Sequence, residues 1–500
     1  MKLTSSPAAD PLKQHDAGSV RKSILLITAV SLGTSALLAT VLWAYNPVYL
    51  RNAWYCTNCY NPDPSFYLAL GGNLLIDGQY SRSLGPPYLP EHGVPPVYPA
   101  LVGVLEWLGG AAAIYVAQTL FRAATCVLVY LIARPIVGQR AALYAGVLWA
   151  LDLWFLVFNF TVMTEVTFLF LVAAGLWLSL PVLVDSRPDQ PRQKLRLAGG
   201  AALLGLAALT RLQGLHLPLL LAMASVAVAW WRGQLRRTLP MALLMLGVSY
   251  GLASGWLVRN VLLFAEPQTA VSWFVAYSAG PSAYMHHTGV NYEEALQRVA
   301  QEYDLPPVDR IVVPHRFGVD VSTLQEDFKK IRLAAWKLLW RYPEGILITS
   351  LKGTAKATLG IYHDFGPVGE MLRWPWVHVD TRDFLVSPFE ATSRLLENAP
   401  PLWFMFAYHV ASNMAFLVLV AAGIVGMLGN RQTRGPAVVL LGVAAYFYMT
   451  MGLCGWYTPM RYRLPAFMVF CCFAGWAASS ITTGFPLGHM LLWLRRKNLG

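Results

Sequence analysis

Long apolar segments with very few charges recur along the chain, and this pattern limits the fold more than any other feature. A helix that crosses a bilayer needs about 20 apolar residues, because the hydrocarbon core is about 30 Å thick. Eight segments are predicted to span: 24–45, 111–133, 141–158, 164–184, 239–263, 401–428, 436–456 and 464–483. The stretch 197–231 is too long for one span. It is interrupted by "TRLQG" (Thr210 to Gly214), which predicts two short helices, 197–210 and 214–231. The chain is therefore predicted to be an all-α polytopic membrane protein with about ten transmembrane helices.

The composition supports this prediction. The chain has 500 residues, of which 56% are hydrophobic and 13% charged, and its mean hydropathy is +0.47. A soluble domain carries about 25% charged residues. The net charge of +12 resembles that of a nucleic-acid-binding protein. Most basic residues, however, stand at the ends of apolar segments, where they orient helices. We therefore expect the lipid bilayer as a partner and no nucleic acid.

The distribution of Lys and Arg predicts the orientation of the spans. With the N-terminus inside, eighteen basic residues fall in inward segments and three in short outward loops, namely Arg211, Arg461 and Arg463. Cytoplasmic loops carry such an excess. Both termini are predicted to be cytoplasmic tails, at 1–23 and 484–500. The first span follows a polar segment and no A-x-A-like cleavage site comes after it, so we expect an uncleaved anchor.

Two predicted outward segments are long. The first, 46–110, lies within the membrane body 24–263 and contains an apolar stretch, 97–108, that is too short to span and is expected at the membrane interface. The second, 264–400, is predicted to be an outward-facing soluble region. The C-terminal transmembrane helices follow at 401–483.

Residues 264–400 contain helical patterns typical of a soluble part. Ser322 with Gln325 resembles a capping box, and Asn291 with Glu294 is expected to open an earlier helix. Tyr342-Pro343 is expected to end the later one. An apolar stripe at helical spacing lies between. Its members are Leu324, Phe328, Ile331, Ala335 and Leu338.

The first predicted outward loop contains two candidates for the reactive group. One is the thiol pair of Cys56 and Cys59, and the other is the carboxylate of Asp63. On the outer side disulfides persist, and no β-α context supports a thioredoxin-like motif. We expect a local disulfide or two structural thiols, with pairing elsewhere as the alternative. Four other cysteines are expected to be small core residues. They are Cys126, Cys454, Cys471 and Cys472. A lone loop carboxylate is most often a cap or a solvated charge, but the residues after Asp63 favour chemistry.

A series of motifs then resembles a known family. Tyr67, Ala69, "NLLIDGQYS" and "PPVYPALVGVL" follow the acidic residue. Later motifs keep the same order: "VYLIARPIVGQRAALYAGVLWAL", "MTEVTFLFLVAAGLWL", "GLAALTRLQGLHL", "WLVRN" and "RYRLPAF". Together they resemble the GT-C glycosyltransferases that use polyprenyl-phosphate sugars, such as protein O-mannosyltransferases and lipid A aminoarabinose transferases, with their family-39-like bacterial relatives. The resemblance is loose over 264–400.

The resemblance implies an inverting transfer of a hexosyl or pentosyl unit from a polyprenyl-phosphate donor to a lipid, glycan or protein acceptor. It also implies a multi-pass protein of the plasma membrane, with the bacterial inner membrane expected, and an active site facing outward. No cofactor is required. Four further residues could be considered as ligands, but the spacing between them does not predict a divalent-metal site. They are His363, Asp364, His378 and Asp380.

Such a reaction needs a general base and positive charge near the leaving phosphate. By analogy Asp63 supplies the base. Pro64 follows it where many family members carry a second acid, so Glu165 and Glu91 are the further candidates. Glu165 would orient the acceptor or hold a metal; its alternative role is a charge at a helix N-terminus.

Arginine suits the phosphate because it binds oxyanions through two parallel hydrogen bonds. The candidates are Arg461, Arg463, Arg259 and Arg211, all at predicted outer helix ends. Their alternative role is to reach lipid headgroups. Pro459 and Pro465 predict an extended stretch between them, in which Arg461 and Arg463 would face one phosphate.

Arg122 falls within a predicted span, and a structural ion pair with Asp152 is expected. Two functions of other classes compete with the glycosyltransferase: a transporter or flippase of lipid-linked sugars, and a noncatalytic assembly subunit. A transporter favours matching halves with helices broken near the midplane, and no matching halves are visible in the sequence.

Overall fold

The computed structural model describes residues 17–52, 63–83, 85–86, 88–184, 191–267, 269–312, 314, 319–359, 393, 397, 400–455 and 460–482. Within these ranges the chain is almost entirely helical. The described residues contain no strand; a single isolated antiparallel bridge joins Ser81 to Pro90.

Two groups of helices make up the described chain. The helices before residue 265 are α1 (Ala17–Tyr45), α2 (Pro47–Arg51), α3 (Asp63–Ile76), α4 (Val97–Val137), α5 (Gln139–Ala150), α6 (Leu153–Phe158), α7 (Glu165–Val184), α8 (Pro191–Ala208), α9 (Leu217–Trp231) and α10 (Leu235–Phe264). The later helices are α11 (Thr269–Phe274), α12 (Gly280–Thr288), α13 (Tyr292–Glu302), α14 (Val308–Val312), α15 (Val321–Arg341), α16 (Pro343–Leu359), α17 (Pro400–Gly429), α18 (Arg434–Gly452) and α19 (Leu464–Thr482). Short 3-10 turns cover Leu212–Gly214 and Met460–Arg463, and a π-helical turn covers Val275–Ala279.

Eight helices in the described part of the chain are long and apolar enough to cross a membrane. The protein is thus a multi-pass membrane protein. The predicted span 141–158 is not among the eight, because it is divided between α5 and α6. The side chain of Asp152 caps α6 by accepting a hydrogen bond from the amide of Phe155 at 2.8 Å. The predicted division of 197–231 into two helices is confirmed, since α8 ends at Ala208 and α9 begins at Leu217, but of these two only α9 belongs to the eight candidate spans.

Helix α4 consists of two limbs joined at a kink. Gly109 and Gly110 leave the helical conformation, and Gly110 has φ of +61°, a value that glycine adopts without strain. The short limb Val97–Leu108 is the apolar stretch that was predicted to be too short to span, and the longer limb carries the second predicted span. The kink ends one limb where the other begins.

The expected ion pair between Arg122 and Asp152 is wrong. Arg122 is fully buried, and its guanidinium donates to oxygens of α1 and α5 instead. The acceptors are Ser31 O at 2.8 Å, Ser31 Oγ at 3.1 Å, Thr34 Oγ1 at 3.2 Å, Ser35 Oγ at 3.0 Å and the carbonyl of Ala150. Hydroxyl and carbonyl dipoles satisfy this charge because Asp152 is already engaged as a helix cap.

A second, smaller hydrophobic core lies in the region after α10. The predicted stripe on α15 is confirmed, since all five of its side chains are buried there. Asn291 caps α13 and Tyr342 ends α15, both as predicted. The predicted cap at Ser322 is wrong by two residues: Asp320 caps α15 by accepting from the amide of Thr323 at 2.8 Å.

Candidate active site

A cavity of about 240 Å³ lies where the ends of several helices meet. Its wall is built from the first turn of α3, the start of α7, the connection between α8 and α9, helix α11 and the turn before α19. Four charged side chains line it: Asp63, Glu165, Arg211 and Arg461. The four residues were predicted in an outward loop or at the outward ends of helices, and the structure brings them together in this one cavity.

Close packing of α3 against α4 determines where Asp63 stands. Gly71 and Gly103 meet so closely that a Cβ on Gly71 would overlap the carbonyl oxygen of Pro99. Asp63 is the first residue of α3, two turns before this contact. Tyr67, one turn after Asp63, also lines the cavity and makes an edge contact with Tyr98 at a centroid distance of 5.0 Å. Burial, and then the charge of Asp63, raise the pKa of Tyr67, so its phenol stays neutral.

The four charged residues form one continuous network. Nη2 of Arg461 lies 3.1 Å from Oδ2 of Asp63, and Nε of Arg461 lies 3.6 Å from Oε1 of Glu165. The same Glu165 oxygen accepts from Nη1 of Arg211 at 2.7 Å. The order is therefore Asp63, Arg461, Glu165, Arg211. The two ends differ in access, because the Asp63 side chain is 30% exposed and that of Arg211 is 14% exposed.

The ring of Tyr462 contacts both arginines, and this residue was not predicted as part of the site. Its ring centroid lies 4.3 Å from Cζ of Arg211 and 5.6 Å from Cζ of Arg461. An aromatic face attracts guanidinium groups at such distances. The sequence signal that could have indicated Tyr462 is its position between Arg461 and Arg463, which were both predicted phosphate ligands. Gln213 and His216 also line the cavity and were not singled out.

The predicted extended stretch around Arg461 and Arg463 is wrong. Met460–Arg463 forms a 3-10 turn, so the two side chains diverge. Arg463 is buried and donates to the carbonyl of Thr358 at 3.1 Å and to Oδ1 of Asn413 at 3.3 Å. It does not line the cavity, and its contacts join the turn to α16 and α17.

Glu91 and Arg259 also lie outside the cavity lining. Glu91 is buried in an ion pair with Arg82 and accepts from the amides of Gly93 at 2.7 Å and Val94 at 3.1 Å. Burial opposes its ionisation, but the Arg82 guanidinium outweighs this and lowers the pKa of Glu91 to about 2. Since Gly93 and Val94 line the cavity, Glu91 shapes the wall and does not enter it.

Arg259 is held by the backbone of the segment between α3 and α4. Its Nη1 donates to the carbonyl of Glu91 and, at 2.7 Å, to Oδ1 of Asn260. Its guanidinium stacks on Trp256 with Cζ 4.8 Å from the ring centroid. These contacts give it a role in holding the loop on α10.

No group of three or more His, Cys, Asp or Glu side chains arranged for a metal occurs among the residues the structure describes. His363, Asp364, His378 and Asp380 lie outside those residues, and so do Cys56 and Cys59. The four remaining cysteines are buried, as predicted.

Residues 93–256, about a third of the chain, match the family described as Dolichyl-phosphate-mannose-protein mannosyltransferase. This match includes Glu165 and Arg211, while Asp63 precedes it and Arg461 follows it. This part of the chain is therefore similar to that mannosyltransferase family. No curated protein has a significant sequence match to it.

Solved structures similar to this chain at low sequence identity include two of an archaeal oligosaccharyltransferase and one of ArnT. The oligosaccharyltransferase of Archaeoglobus fulgidus with zinc and sulfate is 14% identical, with a TM-score of 0.46, over 92% of this chain and 51% of that one. The archaeal oligosaccharyltransferase AglB of the same organism, with an inhibitory peptide and a dolichol-phosphate, is 14% identical, with a TM-score of 0.44 and the same coverage. ArnT of Cupriavidus metallidurans bound to undecaprenyl phosphate is 15% identical, with a TM-score of 0.35, over 88% and 77%. The chain spans about half the length of the oligosaccharyltransferase.

Proposed function

We propose that this protein transfers a sugar from a polyprenyl-phosphate donor to an acceptor hydroxyl or similar group, with inversion at the anomeric carbon. The observation that carries the proposal is the partly exposed Asp63 carboxylate in the same cavity as Arg461 and Arg211. The match to a family described by dolichyl-phosphate-mannose supports a polyprenyl-phosphate donor. The sugar, hexosyl or pentosyl, and the acceptor, a lipid, glycan or protein, are left to the assay.

In this proposal Asp63 acts as general base. It takes the proton of the acceptor as the acceptor oxygen bonds to the anomeric carbon. The bond between that carbon and the phosphate oxygen breaks, and its electron pair leaves with the phosphate. In-line displacement puts the base and the leaving phosphate on opposite sides of the sugar. The order Asp63, Arg461, Glu165, Arg211 offers such a separation, with the base at one end and Arg211 at the other.

The two arginines then take different parts. Arg211 stabilises the departing phosphate, since a preorganised cation opposite developing negative charge lowers the barrier. Arg461 orients Asp63 through its 3.1 Å contact and gives the phosphate a second cation. Glu165 holds both guanidiniums in place and is a positioning residue. Apolar side chains of Val271 and Phe274 in the same cavity wall suit the first isoprene units of a lipid donor.

We further propose that the site faces outward from the plasma membrane, with both termini in the cytoplasm, as in the bacterial inner membrane. The support is the excess of Lys and Arg in the connections at the opposite ends of the helices. At the outward ends a polyprenyl phosphate would sit at headgroup depth with its chain in the bilayer.

The test measures sugar release and transfer from labelled polyprenyl-phosphate sugars by the detergent-purified protein. Asp63→Asn keeps the shape and removes the proton acceptor, so transfer should fall by about 10² to 10⁴-fold. Asp77→Asn is the matched control, an exposed carboxylate at the other end of the same loop helix, bound by the Tyr88 hydroxyl at 2.8 Å. Full transfer by Asp63→Asn would remove Asp63 from the mechanism. Donor movement across liposomes without cleavage would favour the flippase.

A further inference from the structure

Helix α15 carries an exposed apolar stripe opposite its buried one. Leu333, Trp336 and Trp340 are spaced three and four residues apart and so share one face. Their exposed fractions are 54%, 60% and 70%. We call Leu333, Trp336 and Trp340 the outer stripe. Two large indole rings in contact with each other, at a centroid distance of 5.7 Å, are an unusual choice for a helix surface in water.

The helix is tied to the end of a spanning helix. Nε2 of Gln325 donates to the carbonyl of Leu263 at 2.8 Å, and Nη1 of Arg332 donates to that of Ala265 at 3.3 Å. Leu263 lies in the last turn of α10, whose Leu262 is exposed as a lipid-facing side chain would be. The first half of α15 is therefore held at the depth where α10 leaves the bilayer.

The outer stripe continues the edge of α15 that makes these contacts. Trp336 follows Arg332 by four residues, and Trp340 follows by eight, so both rings lie on the ridge that begins at the α10 contact. A ridge that starts at the membrane boundary and goes on with two indoles presents them to the adjacent headgroups. Trp is enriched at this depth because its ring is apolar while its N–H reaches water.

The charges beside the outer stripe are mainly positive. Between Lys329 and Arg341 the helix carries five basic residues and no acidic one. Three of the five have an acidic partner, since Lys330 pairs with Asp304, Arg341 with Glu302 and Arg332 with Glu266. Lys329 and Lys337 form no ion pair with any residue the structure describes, and both are exposed. A surplus of cations flanking Trp and Leu is typical of a helix lying in the plane of an anionic membrane surface.

We propose that the outer face of α15 is a membrane-surface anchor that rests the region after α10 on anionic phospholipid headgroups. The outer stripe enters the boundary between headgroups and acyl chains, and Lys329 and Lys337 contact lipid phosphates. The anchor is also connected to the candidate active site through a neighbouring helix. Helix α15 packs against α11, whose Val271 and Phe274 line the cavity.

Fluorescence quenching in nanodiscs tests the anchor without depending on any activity. Leu333→Cys and Trp340→Cys, each in a Cys56→Ser/Cys59→Ser background, are labelled with an environment-sensitive fluorophore. The discs contain phosphatidylglycerol and a lipid spin-labelled near its headgroup. Gln297→Cys, at an exposed position of α13, is the matched control. Residues buried about 5–10 Å into the interface should be quenched several-fold more strongly than this control.

Two further arms complete the test. Lys329→Glu with Lys337→Glu should reduce quenching at position 333 in phosphatidylglycerol discs and change little in phosphatidylcholine discs. Thermal unfolding of each labelled variant confirms that it is folded. Equal quenching at 297, 333 and 340 would overturn the proposal. Shielding of position 340 from aqueous iodide in cells, without lipid quenching in discs, would overturn it in favour of a protein or glycan partner.

Discussion

Nη2 of Arg461 lies 3.1 Å from Oδ2 of Asp63, although 398 residues separate the two along the chain. The contact joins the start of α3 to the turn between α18 and α19. The candidate site therefore exists only when the start of α3 and the turn before α19 have been brought together by the packing of the membrane body. Variants at either end of this contact, and in the packing beneath it, test the site most directly.

Arg461 and Arg463 should behave differently despite their similar settings in the sequence. Arg461→Gln should weaken donor use by roughly tenfold to over a hundredfold, since a hydrogen bond to a charged group contributes about 1.5–3 kcal/mol. Arg461→Lys should recover only part, because Lys cannot make the two-pronged contact. Arg463→Gln should lower the melting temperature instead, since its partners are protein carbonyl and amide oxygens. The measurement is the dependence of rate on donor concentration, with thermal unfolding alongside. Unchanged donor affinity in Arg461→Gln, with a loss in Arg211→Gln, would assign the phosphate to Arg211 alone.

The contact between α3 and α4 should tolerate no side chain. Gly71→Ala places a Cβ against the backbone of Pro99 and Gly103, and overpacking of this kind costs about 1–3 kcal/mol. It should reduce both thermal stability and transfer, because α3 carries Asp63. The neighbouring Gly72 has open space around it, so Gly72→Ala should be neutral or slightly stabilising. Identical melting temperatures for the two variants would contradict the close approach of these helices.

The orientation of the chain can be tested with an impermeant thiol reagent on intact cells. Cysteines placed at position 15 and at Asn430 should be protected, and a cysteine at Gln297 should be labelled. The physical basis is the excess of basic residues at the predicted inner ends of the helices. Permeabilised cells, in which all three positions should react, provide the control. Labelling of position 15 in intact cells would reverse the orientation and with it the outward site.

Glu266, at the joint between α10 and α15, should make stability depend on pH. Burial raises its pKa from the ordinary 4.5 to about 7, an effect that Arg332, with Nε 3.5 Å from Oε1, only partly offsets. The folded state then holds a proton that the unfolded state has lost, so stability should fall as the pH rises from about 4.5 to 7 and level off above. Glu266→Gln should flatten this slope, whereas Glu293→Gln, at an exposed position, should leave it intact. The measurement is the melting temperature as a function of pH over this range. An unchanged slope in Glu266→Gln would show that other groups cause the pH dependence of stability.

The sequence by itself determined where helices form and which faces they bury. Hydropathy and periodicity are sums over near neighbours, so they located the break between α8 and α9 and the buried stripe of α15. The position of a helix cap depends on a single residue, and the sequence predicted this position less exactly. Asp320 and Ser322 both suit the start of α15, and in the structure Asp320 is the cap. The order of the motifs along the chain also predicted a resemblance to the GT-C glycosyltransferases, and residues 93–256 match a mannosyltransferase family.

Only the tertiary structure decided which charges meet. Glu91 and Glu165 are both buried acids, but Glu91 is taken up by Arg82, which stands only nine residues before it, while Glu165 receives two arginines from distant connections. Arg461 and Arg463 differ because a 3-10 turn, rather than an extended stretch, directs one guanidinium into the cavity and the other toward α16 and α17. Arg122 donates hydrogen bonds to hydroxyl and carbonyl oxygens in place of the expected carboxylate of Asp152. The contacts of Glu165 and Arg122 depend on the distance between segments far apart in the chain. Such distances are set by the packing of helices, as at Gly71 and Gly103 between α3 and α4, which no local pattern of hydropathy records.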